Sequence, residues 1–129
     1  MKTPIILLLT NDPKLEDCVA HVLRQSGGLS HLVHSADDAL QIVCGTGRDL
    51  DLAAIDFESG PHGMTLLSAM SMCREDLPVI VIARDDEKHV EALAYANGAV
   101  ACLPKPISTA QFAEAMNQCR RSQHQLAMA

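Results

Sequence analysis

The chain has 129 residues, and 48% of them are hydrophobic, which suits one domain with a sizeable core and excludes a disordered chain. Aromatic residues make up only 2% and Trp is absent, so the core must be aliphatic. A formal net charge of −6 argues against a nucleic-acid or anionic-membrane surface.

The first predicted element is a continuous apolar strand, PIILLL over 4–9. It is too short for the apolar region of a signal peptide and ends at Asn11-Asp12. Asp12 is a candidate N-cap and Pro13 suits the first helical position. Leu15, Cys18, Val19, Val22 and Leu23 then repeat at helical spacing, and Gly27-Gly28 stops that helix. SHLVH over 30–34 reads as a second strand. Ser35 and Asp38 cap a short helix from Ala36 to about Cys44. Leu52 to Asp56 is the third strand, and Leu66, Leu67 and Met70 mark the helix after it.

PVIVIA over 78–83 is the fourth strand, rich in β-branched residues. Asp85, Asp86 and Glu87 place negative charge where the next helix begins. Val90, Leu93, Ala94 and Asn97 give that helix an inner face, and Asn97-Gly98 ends it. AVACL over 99–103 is the fifth strand. Ser108 and Gln111 form a capping box for a last helix lined by Phe112, Ala115, Met116 and Cys119. A polar tail is expected to fray after Arg121. Strict alternation of apolar strands and helices implies an α/β, doubly wound parallel sheet covered on both faces.

Five cysteines, at 18, 44, 73, 102 and 119, are scattered, and none forms a Cys-x-x-Cys pair. The reading is reduced thiols in a cytoplasmic protein, not a disulfide frame. No apolar stretch is long enough to span a bilayer.

In an open parallel sheet, ligands sit beyond the carboxyl ends of the strands. That rim gathers Asn11 and Asp12 after strand one, Asp56 ending strand three, Ala83 and Arg84 ending strand four, and Lys105 after strand five. A carboxylate there is a usable nucleophile or metal ligand, and an ammonium is a point charge for a phosphate.

LLLTNDPKLEDCVAHVL, DLAAIDFESGPHGMTLL, LPVIVIA and NGAVACLPKPIS cover nearly the whole chain. Together they resemble the receiver domain of bacterial two-component response regulators. The resemblance implies a flavodoxin-like fold with five helices and sheet order 2-1-3-4-5. It implies a receiver-like unit over 1–121 and a tail over 122–129. It implies that Asp56 is the actual or ancestral acceptor of a phosphoryl group, donated by a histidine kinase or phosphotransfer protein. In the family, two acids after strand one hold Mg²⁺ with the acceptor and a backbone carbonyl. A hydroxyl ending strand four and the Lys of Lys-Pro grip the phosphoryl oxygens. The peptide before Pro106 is expected to be cis.

The chain keeps Asp56 and Lys105 and departs elsewhere. Aligned on Pro13, the metal pair falls on Thr10 and Asn11, with Asp12 one place too far along. The hydroxyl position is Ala83, its usually small neighbour is Arg84, and the strand-five aromatic position is Cys102. The loop after Asp56, FESGPHG, is one residue shorter than usual. Asp56 with Asn11 should therefore bind Mg²⁺ weakly or not at all. Asp12 or Glu58 is a substitute ligand. Arg84 either supplies the missing positive charge or pairs permanently with Asp56, and the permanent pair is preferred. Slow or absent phosphorylation follows.

Weaker signals have plainer readings. His31 and His34 are three apart on a strand and point to opposite faces. His62 is a solvated loop residue, and Gly45-Thr46-Gly47 is a turn at the opposite rim. Met64, Met70, Met72 and Met116 fill core gaps, and Cys102 is a small buried hydrophobe. Tyr95, the only Tyr, lies away from its helix's inner face and is expected to join an interaction patch for a downstream protein or a second copy. No DNA-binding motif is present, and neither nucleic acid nor membrane is an expected partner. The rival from another class is a flavodoxin-like small enzyme or FMN-binding protein. Pro13 stands where a phosphate loop would lie, and aromatics to hold a flavin are nearly absent, so no enzyme is expected.

Overall fold

Successive residues of a strand point to opposite faces, and in this chain that alternation divides the core in two. The structure, a computed structural model, describes residues 3–46, 49–59, 63–84 and 88–128. Five strands, β1 (Ile5–Leu9), β2 (Leu29–Val33), β3 (Leu52–Asp56), β4 (Val79–Arg84) and β5 (Ala101–Lys105), form one sheet in the order β2-β1-β3-β4-β5. Every pairing is parallel. The helices are α1 (Pro13–Ser26), α2 (Ala36–Gln41), α3 (Gly63–Cys73), α4 (Lys88–Ala96) and α5 (Thr109–Met128). Ile6 and Leu8, Leu52 and Ala54, and Ile80 and Ile82 pack with Leu15, Val19, Phe112 and Met116 on the α1–α5 side. Leu7, Leu9, Ala53, Ile55, Val79 and Val81 pack with Ala39, Leu66, Leu67, Met70 and Ala94 on the other. The expected doubly wound fold and its strand order are thus present.

The helix ends follow the sequence signals. Asp12 accepts from the Lys14 amide, and Gly27 closes α1 at φ 78°. Ser35 accepts from the Asp38 amide. Ser108 and Gln111 bond reciprocally, side chain to backbone. Gly98 sits at φ 109°, and a Cβ there would strike the Ser71 hydroxyl, so only Gly fits between α3 and α4.

Several expectations need correction. β5 starts later than AVACL suggests, because Val100 donates its amide to Val79 before the ladder begins; Lys105 is the last residue of the strand. Helix α2 ends at Gln41, and the chain continues as a π turn, Ile42–Thr46. Leu93 is 49% exposed and Met72 is 86% exposed, so neither fills the core. Helix α5 is assigned through Met128 and so includes most of the polar tail expected after Arg121. The cysteines are not all reduced: Cys44 and Cys73 form a disulfide. Packing of α2 and its π turn against α3 brings their Cα atoms to 5.8 Å, within bridging range, and no sequence spacing encodes that. Gly47, His62, Asp85, Asp86 and Glu87 lie outside the described residues. Among the described residues, no helix is long and apolar enough to cross a membrane.

Candidate functional site

The same alternation builds the site. Continuing the α1–α5 face past the core residues gives Thr10 after β1, Asp56 on β3, Arg84 on β4 and Lys105 on β5. Four polar or charged residues therefore stand at the carboxyl ends of four strands, above one apolar layer. Ala83 belongs to the other face, where it packs in the α2–α4 core.

Asp56 is only 2% exposed, and a buried carboxylate needs partners. Its Oδ2 accepts from the Thr10 hydroxyl at 2.7 Å and from Lys105 Nζ at 2.9 Å. Its Oδ1 accepts from the Glu58 amide at 3.0 Å, in the one-turn 3₁₀ segment Phe57–Ser59. Thr10 is fully buried, and its oxygen also accepts from the Asp12 amide at 3.0 Å. The Thr10 carbonyl meets His34 Nδ1 at 2.9 Å, which assigns the proton to that nitrogen. Asn11 donates from Nδ2 to the His34 carbonyl at 3.3 Å.

Lys105 is the centre of the cluster. Its ammonium contacts Asp56 Oδ2 at 2.9 Å, Glu58 Oε2 at 3.0 Å and Asp12 Oδ2 at 3.2 Å. An ammonium has three N–H donors, and these three carboxylates take one each. Burial opposes its charge, but the hydrogen bonds to Asp56, Glu58 and Asp12 outweigh burial and hold Lys105 well above the usual lysine range. Burial also works against ionised Asp12; the bond from Lys105 and the Lys14 amide still leave its carboxyl below the ordinary range. Asp12 thus serves twice, with Oδ1 on the Lys14 amide and Oδ2 on Lys105.

The expected Arg84–Asp56 pair is replaced by a different one. Arg84 Nε lies 3.6 Å from Glu58 Oε1, and the cation on Asp56 is Lys105. Asp12 and Glu58 do converge on the rim, but onto the ammonium. A cleft of about 520 Å³ opens beside them, walled by Asp12, Lys14, Glu58, Arg84 and Lys105 and floored by Leu15, Pro106 and Ile107. The Lys105–Pro106 peptide is cis.

Mg²⁺ asks for several oxygen ligands in near-octahedral order. Of the two aligned metal positions, Thr10 offers a hydroxyl already engaged with Asp56 and Asp12, and Asn11 faces His34. The carboxylates of Asp12, Asp56 and Glu58 all point at an ammonium that a dication would have to expel. Among the described residues, no group of three or more His, Cys, Asp or Glu side chains is arranged to hold a metal. The described residues of this rim do not fit the ion.

Tyr95 reaches from α4 to the edge strand, where its hydroxyl accepts from the Cys102 amide at 3.2 Å. The ring remains 47% exposed. Cys102 itself is partly buried against the α2–α4 core. Sequence reasoning missed Thr10 as a functional contact, since it read the position as a lost acid. The period-two run Ile6, Leu8, Thr10 was the signal available.

No protein-family model matches the chain. A curated relative, the glycerol metabolism activator of Pseudomonas putida, is 26% identical over 115 residues, 88% of this chain. The chain spans about half of that relative, 52% of its length. Among solved structures, a CheY-like response regulator receiver domain from Methanospirillum hungatei superposes with TM-score 0.85 at 18% identity, over 96% of this chain and 98% of its own. The signal receiver domain of an HD domain-containing protein from Pseudomonas fluorescens gives 0.83 at 23% identity, over 96% and 99%. The fold is that of response regulator receiver domains.

Proposed function

We propose that this chain is a two-component signal-transduction receiver module that acts through protein–protein contacts, with its acceptor pocket closed by its own lysine. Asp56 stands at the phosphoacceptor position, and Lys105 neutralises it permanently. The observation that carries this reading is the single ammonium within 3.2 Å of Asp12, Asp56 and Glu58. A phosphoryl group arriving at Asp56 needs its charge neutralised and its oxygens held. Lys105 can hold them only by releasing a carboxylate. Thr10 supplies a hydroxyl donor to Asp56 where the family pattern supplies an acid for metal. Arg84 is engaged with Glu58. Phosphorylation by a histidine kinase or phosphotransfer protein is therefore slow or absent, and Asp56 is better described as the ancestral acceptor.

Incubation of the purified chain with Mg²⁺ and a small acyl phosphate tests this. Intact-mass measurement should leave Asp56 largely unmodified. Near-complete addition of one phosphoryl group at Asp56 would overturn the reading.

The contact surface is the region of α4 and the turn into β5, where Leu93, Tyr95 and Val100 are each about half exposed. Tyr95 joins that surface to the edge strand, and a fixed aromatic is a good anchor for a downstream protein or a second copy. Tyr95→Ala should weaken such association severalfold in sedimentation or light-scattering measurements while far-UV circular dichroism stays native. Tyr95→Phe keeps the ring and loses the bond to the Cys102 amide, so it should retain most of the association. Equal association by wild type and Tyr95→Ala would remove Tyr95 from the surface.

A further inference from the structure

The five cysteines fall into two classes. Cys18 and Cys119 are buried, and burial raises both thiols, Cys119 to about 11. Cys102 is partly covered, and burial together with the Glu91 charge raises its thiol too. Such thiols are poor nucleophiles. Cys44 and Cys73 are different: both are exposed, and they are already bonded to each other. Cys44 lies in the π turn Ile42–Thr46, an irregular segment of the kind that recurs at functional positions. Among the described residues, no atom lies within 4 Å of a Cβ added at its neighbour Gly45. Cys73 is the last residue of α3. A small reagent can therefore approach this pair, and the other three cysteines compete weakly.

The ring that the bond closes runs from Cys44 to Cys73 and encloses β3, Asp56 and Glu58. Closing it ties the π turn after α2 to the end of α3, the elements that precede and follow the acceptor strand in the chain.

We propose that Cys44 and Cys73 form a reversible thiol–disulfide site whose co-substrate is a low-molecular-weight disulfide of the glutathione type. One thiolate attacks the small disulfide, forms a mixed disulfide and releases one small thiolate. The second cysteine thiolate attacks the mixed disulfide at the protein sulfur and releases the second. The two protein thiols lose two electrons and two protons, and the small disulfide is reduced to two thiols. Excess small thiol reverses both steps.

The intact folded chain, equilibrated across ratios of glutathione disulfide to glutathione, tests this by acid quench, alkylation under denaturing conditions and peptide mass analysis. Cys44 and Cys73 should lose their alkyl labels together as the ratio rises and regain them together as it falls. Cys18, Cys102 and Cys119 should stay labelled throughout. In Cys44→Ser, Cys73 should stop at the mixed disulfide. The proposal is overturned if Cys44 and Cys73 take up glutathione separately in the wild-type chain, if both stay labelled at every ratio, or if their bond persists in excess glutathione.

Discussion

Replacing Lys105 with Met should destabilise the fold at pH 7 by about 3 kcal/mol, read from urea denaturation midpoints. The Lys105 side chain is 14% exposed and the Asp56 side chain 1%, so the change leaves a buried carboxylate without its cation. Asp12 and Glu58 lie nearer the solvent and regain water, which keeps the cost at the lower end for a broken buried pair. The double variant Asp56→Asn/Lys105→Met removes both charges and should recover more than half of the loss. A double variant no more stable than Lys105→Met alone would contradict the buried-charge explanation. The effect has a pH window. Lys105 is held above its ordinary 10.5, so its contribution is complete below that pH and is lost as pH rises through the folded value. Asp12 is held below its ordinary 3.8, so its contribution is present above that pH and is lost as pH falls through the folded value. The gap between wild type and Lys105→Met should be widest near neutrality and narrow toward acid.

Opening the Cys44–Cys73 bond should lower stability by a comparable amount, about 3–4 kcal/mol for a ring of this length. The separation of 29 residues sets that expectation through the freedom returned to the unfolded chain. Cys44→Ala/Cys73→Ala, measured in oxidising buffer, should match the reduced wild type. The same pair of denaturation curves in reductant should coincide. A wild type unaffected by reductant would mean that the ring does not constrain the unfolded chain. Total stabilities of domains this size are typically about 5–15 kcal/mol, so either change removes a substantial share.

The sequence carried the sheet because continuous apolar runs, the mark of strands buried on both faces, alternate with helical patterns. The strands therefore lie parallel and their carboxyl ends share one rim, which gathers Asn11, Asp12, Asp56, Ala83, Arg84 and Lys105. The division of those residues between two faces, with Thr10, Asp56 and Arg84 on one, appears only in the folded sheet. Nor did the sequence say which cation would meet which carboxylate. Lys105 and Arg84 are register partners on neighbouring strands, and the choice between them depends on side-chain rotamers that no spacing encodes. The same limit hid the disulfide, since Cys44 and Cys73 become neighbours only when the π turn packs on α3. Thr10 was hidden differently. Compared with a family pattern it looked like a missing ligand, whereas its hydroxyl bridges Asp56 and the Asp12 amide.

The measurement closest to the central claim is nuclear magnetic resonance of the Lys105 ammonium and the Asp56 carboxyl carbon during a Mg²⁺ titration. A self-neutralised pocket predicts a slowly exchanging ammonium coupled to the Asp56 carboxylate, with neither signal moving at millimolar Mg²⁺. Saturable shifts of both signals, with the ammonium released to rapid exchange as the ion binds, would contradict it.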